Sequence, residues 1–243
     1  MFYTEAAALR PEDYNVQRRL SPSAVLTLLE LAGAHHSESV KDGLVTDGVA
    51  WILSQWRVEI RRRPQFGEPV SITTWTRPKT RAAFVYREFL ASAPDGTEYF
   101  RARAKLTRFD LNAHRLVRID DALYAAYGPE EKSVFDGELP RLHEAAHYDR
   151  EFDLPLRRSD MDYNGHVHNT RYLDFALDAL SEADYRRDAI SGIRILYHAP
   201  LTERSQAQLR LADAGKTKNI GIYADGQLCT LMELTCGEQS AEE

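Results

Sequence analysis

Only two cysteines, Cys229 and Cys236, occur in 243 residues. On one strand, at about 3.3 Å per residue, they would stand roughly 23 Å apart, too far for a disulfide. A disulfide-stapled scaffold is excluded, and a reducing, cytoplasmic setting is the expectation. No apolar stretch approaches the roughly 20 residues of a membrane span. The first residues, MFYTEAAALRPEDYN, lack the basic and then apolar layout of a secretory signal. Positive charge is not in excess either: 31 Lys and Arg against 37 Asp and Glu leave a net charge of −6, which argues against a bulk nucleic-acid binder. A Gly-rich phosphate loop ending in Lys-Ser/Thr and a dinucleotide fingerprint are both missing, so no cofactor is expected.

What is present is an ordinary globular composition, 43% hydrophobic and 28% charged, long enough for a substantial core. The order of elements reads as doubled. After an extended start, Ser21-Pro22 supplies an N-cap and a first-turn proline, and Val25, Leu28, Leu29 and Ala32 share one helix face. Gly43 and Gly48 break that pattern. Strands are expected over 51–60, 70–75 and 82–92, and Asp95-Gly96 is a hairpin turn. Beyond it Phe100, Ala102, Ala104 and Leu106 alternate with Arg101, Arg103 and Lys105, as in a strand with a solvated basic face.

The second half repeats this order. EFDLPLRRSDMD is extended, and Tyr172, Phe175, Ala176, Ala179 and Leu180 mark a helix face. Strands follow over 192–200, 206–212 and 219–224, and an Asp225-Gly226 turn leads into LCTLMELTC. One helix followed by antiparallel strands suggests an α+β unit in which a sheet wraps the helix, present twice. The expected divisions are residues 1–126, a polar linker over 127–148 carrying a short helix, and residues 149–243.

Chemistry concentrates in DMDYNGHVHNTRY, residues 160–172. Gly165 permits a sharp turn into the helix, and Asn169 or His168 stands where an N-cap is wanted. The N–H groups of Val167, His168 and Asn169 at the helix start can hold a carbonyl oxygen that becomes an oxyanion. Asp162 can act as general base on water or as nucleophile, while Asn164 and His166 orient and donate. The arrangement suits acyl transfer to water, although the same residue types also make a simple capped turn.

The string D-x-N-G-H-V-x-N-x-x-Y resembles the active-site segment of the hot-dog-fold acyl-acyl-carrier-protein thioesterases. Those proteins carry tandem hot-dog repeats, each an antiparallel sheet around a central helix. The string is also similar to the signature of single-repeat acyl-CoA thioesterases, but WILSQWRVEIRRRPQFGEPVSITTW matches the two-repeat family's N-terminal half. The resemblance implies hydrolysis of acyl-carrier-protein thioesters to free fatty acid, with Asp162, Asn164 and His166 as the catalytic set. It also implies a non-catalytic N-terminal repeat lining the acyl tunnel, with Trp51, Trp56 and Trp75 as wall or plain core residues. Two positions depart from the pattern. His168 stands where a second asparagine is frequent, and Pro200 falls near the place of a strand glutamate, leaving Glu203 as its substitute. An acyl-CoA thioesterase and a non-catalytic acyl-thioester sensor are the alternatives.

Arg61, Arg62 and Arg63, with Arg157 and Arg158, are basic clusters on an acidic chain, read either as a solvated face or as a dock for an acidic carrier protein. The motif HEAAH, His143–His147, matches the H-E-x-x-H zinc pattern if it lies on a helix. Its extended form fails, with Arg150 and Asp153 where glycine and histidine belong, so a solvated linker helix and no metal are expected. His35-His36 reads as core packing or as a helix C-terminal charge. Two fused repeats already supply the pairing that single-repeat proteins obtain by dimerising, and a homodimer of the fused chain is compatible with the sequence.

Overall fold

The computed structural model describes residues 1–42, 45–46, 48–79 and 81–237, the side chains of Val45, Thr46 and Arg186 excepted. Gly43 therefore lies outside the described residues. The chain divides into two compact units, Met1–Leu139 and Pro140–Glu243.

The first unit runs β1 (Tyr3–Ala6), a 3-10 turn (Pro11–Asp13), α1 (Pro22–Ser39), β2 (Val45–Thr46) and β3 (Val49–Ile60). It continues through β4 (Ser71–Thr76), β5 (Phe84–Ser92), β6 (Glu98–Asp110), β7 (Arg115–Val117) and α2 (Asp121–Ala126). Its sheet is antiparallel in the order β1-β4-β5-β6-β3, with β2 on β3 and β7 on β6. Helix α1 starts where expected: the Ser21 hydroxyl accepts from the Ala24 N–H at 3.1 Å, and Pro22 needs no donor of its own. Val25, Leu28, Leu29 and Ala32 are buried against the sheet. The helix passes over β5 at Gly33, where an added Cβ would meet Arg87 Cδ at 3.6 Å and Phe89 Cζ at 3.8 Å.

The second unit runs β8 (Arg150–Leu154), a 3-10 turn (Arg158–Asp160), α3 (Arg171–Asp178), α4 (Glu182–Arg187) and β9 (Ile190–Tyr197). Strands β10 (Ala207–Ala214), β11 (Thr217–Ala224) and β12 (Gln227–Cys236) complete it. The order β8-β10-β11-β12-β9 repeats that of the first unit strand for strand. Each unit is a hot-dog, a helix against an antiparallel sheet, so the doubling read from element order is real. Asp225 and Gly226, at φ of 51° and 79°, form the tight hairpin expected of that dipeptide. Cys229 and Cys236 both lie on β12, buried and unpaired with each other.

Two expectations need correction. The basic face of β6 is not solvated throughout. Arg103 is wholly buried and paired with buried Glu88 at 2.8 Å, because residues 133–137 cross that face. The Phe135 carbonyl accepts from Arg103 at 2.9 Å and the Gly137 carbonyl at 2.6 Å. Trp75 shares this face, its indole donating to the Lys132 carbonyl at 2.8 Å, so it lies on the side opposite α1. Trp56, by contrast, is in the Arg87 row beneath α1.

The second correction is the linker helix. The short helix is α2 and ends at Ala126, and residues 127–148 contain none. Gly128 and Gly137, at φ of 51° and 67°, with Pro129 and Pro140, interrupt any helical run. HEAAH is irregular chain, held by Glu144, whose carboxylate accepts from the Tyr223 hydroxyl at 2.5 Å. His143 and His147 thus lack the helical spacing that zinc binding requires, and no group of three metal-ligating side chains occurs among the described residues.

Candidate active site

Asp162, Asn164 and His166 lie on one short loop between the 3-10 turn and α3. The loop closes on itself, with the Asp162 N–H donating to the His166 carbonyl at 2.7 Å and Gly165 N–H to the Asp162 carbonyl at 3.0 Å. Asp162 Oδ1 accepts from the backbone N–H groups of Asn164 (2.8 Å) and His166 (3.1 Å). Among the described residues Asp162 Oδ2 has only the Asn164 side-chain amide, at 3.3 Å. One carboxylate oxygen therefore holds the turn, and the other is more weakly engaged. Neither ring nitrogen of His166 makes a hydrogen bond among the described residues. Gly165 has φ of 76°, the left-handed conformation that justified a glycine there.

The first unit contains the same loop with different chemistry. Asn15 Oδ1 accepts from Gln17 N–H at 3.1 Å and Arg19 N–H at 3.0 Å, matching the two bonds of Asp162 Oδ1. Arg18 takes Gly165's place at φ of 59°. Leu20 N–H donates to the Pro64 carbonyl at 2.8 Å, as Val167 N–H does to the Leu201 carbonyl at 2.8 Å. Ser21 N–H donates to the Asp13 carbonyl, and His168 N–H to the Asp160 carbonyl. The turn itself is thus a property of the fold, satisfied by a neutral amide. What the second unit adds is a carboxylate in place of Asn15, an imidazole in place of Arg19, and Asn169 in place of Pro22.

These bonds revise the expected oxyanion donors. The N–H groups of Val167 and His168 are already spent, while that of Asn169 has no partner among the described residues. The helix N-cap is Thr170, with α3 starting at Arg171, because His168 Nδ1 draws in the Thr170 hydroxyl (3.0 Å) and N–H (3.4 Å). Asn169 and His168 therefore precede the cap. Glu203 is exposed and paired with Arg158 at 3.1 Å, and no hydrogen bond joins it to Asp162, Asn164 or His166 among the described residues.

The arginine clusters also sort themselves. Arg63 is buried and donates to the Leu20 carbonyl at 3.2 Å, so it cannot meet a partner. Arg61 pairs with Glu98 at 2.9 Å, and Arg62 makes two bonds to Glu68 at 2.9 and 2.8 Å. Arg157 is exposed and forms no ion pair among the described residues. His36 is buried, its Nδ1 2.8 Å from Arg87 Nη1, and burial with the adjacent guanidinium lowers its pKa to about 4. A neutral ring excludes the helix-end charge role and leaves the packing one.

Two hot-dog units in one chain, with a single carboxylate loop, define a double hot-dog protein. The acyl-ACP thioesterase N-terminal domain matches residues 2–127 and the acyl-ACP thioesterase C-terminal domain residues 143–227, so the chain belongs to the acyl-ACP thioesterase family. The oleoyl-acyl carrier protein thioesterase 1 of Arabidopsis thaliana is 25% identical over 220 residues, 76% of this chain and 60% of that protein. The chain thus spans about 60% of that relative's length. In fold it is similar to an acyl-ACP thioesterase from Bacteroides thetaiotaomicron (TM-score 0.87, 19% identity, 97% of this chain and 98% of that one). It is also similar to the 12:0-ACP thioesterase from Umbellularia californica (TM-score 0.84, 19% identity, 96% of each chain).

Proposed function

We propose that this chain hydrolyses acyl-acyl-carrier-protein thioesters to free fatty acid and carrier protein. The observation that carries the reading is the pair of equivalent loops: the same turn holds a neutral Asn15 in one unit and a carboxylate, amide and imidazole in the other. Asp162 Oδ2 accepts a proton from a water whose oxygen attacks the thioester carbonyl carbon. The Asn169 N–H holds the oxyanion that forms, worth about 10² to 10³ in rate. Collapse breaks the C–S bond, and the departing thiolate takes the proton back from Asp162. Asn164 and His166 orient the water and the thioester. Whether Asp162 instead attacks directly is decided by single turnover in ¹⁸O-water, since only nucleophilic attack leaves label in its carboxylate. The reading includes a division of labour, with the N-terminal unit holding the acyl chain and the C-terminal unit the chemistry.

Acyl-carrier protein is the substrate partner, with Arg157 and Arg158 beside the loop, and Arg61 and Arg62 of the first unit, as docking cations. Arg63 drops out by burial. Two buried, unpaired cysteines fit a reducing, cytoplasmic compartment. The test is release of free thiol from acyl-carrier-protein and acyl-CoA thioesters of graded chain length. The expected result is turnover with carrier substrates favoured. Faster CoA turnover would assign the acyl-CoA activity, and binding without thiol release would make the protein a sensor.

A further inference from the structure

Two tyrosines beside the loop have no catalytic role in the reading above, yet each bonds to the backbone that carries it. The Tyr197 hydroxyl donates to the Asn169 carbonyl at 3.0 Å. The Tyr172 hydroxyl accepts from the Leu201 N–H at 2.8 Å, and the Leu201 carbonyl accepts from the Val167 N–H at 2.8 Å. The two rings meet edge to face, centroids 5.6 Å apart at 79°. Tyr172 is buried, and burial first of all pushes its pKa up to about 12, so the hydroxyl stays protonated in neutral solution.

The first unit lacks both. Arg61 and Arg62 N–H groups converge on the Tyr99 carbonyl (2.9 and 3.1 Å), as His198 and Ala199 converge on the Cys229 carbonyl (2.8 and 3.1 Å). That pairing makes Ile60 the counterpart of Tyr197 and Pro64 that of Leu201. Counting along the helix from Leu20 and Val167 makes Val25 the counterpart of Tyr172. Pro64 has no N–H to satisfy, so a valine serves in place of the Tyr172 oxygen. Pro22 stands where Asn169 does, already inside α1, and it has no N–H for an oxyanion. In the second unit the helix begins later, at Arg171, and the Asn169 carbonyl takes the Tyr197 hydroxyl. The hydroxyls, the open N–H and the carboxylate occur together in one unit and are all missing from the other.

We propose that Tyr197 and Tyr172 are positioning residues for thioester hydrolysis, a clamp that holds the Val167–Asn169 backbone so that the Asn169 N–H faces the developing oxyanion. This rests on the assignment of Asp162 and Asn169 made above. A donor held loosely by about 1 Å loses on the order of 10²-fold in rate, so removing one hydroxyl is expected to lower kcat about 10- to 100-fold. KM stays within about threefold, because the hydroxyls do not touch the substrate.

The test measures kcat and KM with an acyl-carrier-protein thioester for Tyr197→Phe and Tyr172→Phe, beside thermal melting. A kcat loss with KM held and Tm lowered by less than about 4 °C supports the clamp. Asn169→Pro, which removes the N–H, should lose at least as much kcat as Tyr197→Phe. Tyr197→Phe with kcat within twofold of wild type overturns the proposal, as does a loss of kcat matched by an equal rise in KM. An inactive Asp162→Asn beside a fully active Tyr197→Phe sinks the clamp alone. An active Asp162→Asn sinks the site assignment itself.

Discussion

Asp162→Asn is a substitution for which the molecule contains its own control. In the first unit Asn15 holds the equivalent turn through Oδ1, with two backbone bonds of 3.1 and 3.0 Å. An asparagine at 162 can adopt the same arrangement, placing Oδ1 toward the Asn164 and His166 N–H groups. Its Nδ2 then replaces Asp162 Oδ2, the oxygen that accepts from the Asn164 amide at 3.3 Å. That weak bond is lost and the remaining two become neutral, a cost of about 1 kcal/mol for a partly exposed group. The chemical cost is larger, because an amide nitrogen donates and takes no proton. A general base contributes about 10² to 10⁴ in rate, so the barrier rises by about 3 to 5 kcal/mol. The assay is thiol release with carrier-bound substrate, alongside denaturant unfolding. Turnover within tenfold of wild type would refute the carboxylate mechanism. Unfolding at much lower denaturant would refute the equivalence of the two loops.

Two further outcomes concern stability. His36 has a folded pKa lowered to about 4 against an ordinary 6.5, so the unfolded chain binds the extra proton between those values and stability falls as pH drops through that window. At 1.36 kcal/mol per unit the loss reaches roughly 3 kcal/mol by pH 4; unfolding curves of wild type and His36→Gln with the same pH slope would rule it out. Arg103→Met leaves buried Glu88 without its cation and should cost about 3 to 5 kcal/mol in the same assay. Arg103→Met with Glu88→Leu should recover much of that loss, and a double variant no better than the single one counts against the pair.

Much of this architecture is legible in the chain because alternation and helical periodicity report burial directly. Val25, Leu28, Leu29 and Ala32 mark α1, the period-two run after Asp95-Gly96 marks β6, and the second half repeats both. The candidate loop is legible too, since Gly165 answers a local demand for positive φ and the short polar side chains crowd around it. The later helix start was not, because it depends on where His168 Nδ1 finds the Thr170 N–H and hydroxyl.

The sequence by itself determined the doubled order of elements and the one segment with chemistry to offer, since both follow from neighbours along the chain. Tertiary structure decided which groups are free to act. Arg63 and Arg103 look like surface cations until residues distant in the chain bury them, and HEAAH looks like a zinc helix until Glu144 reaches Tyr223. The Val167 N–H is spent on Leu201, leaving that of Asn169 open, and the Tyr197 hydroxyl reaches back across 28 residues to the Asn169 carbonyl. A hydrogen bond between distant segments leaves no trace in local periodicity, so only the folded chain reveals which donors remain.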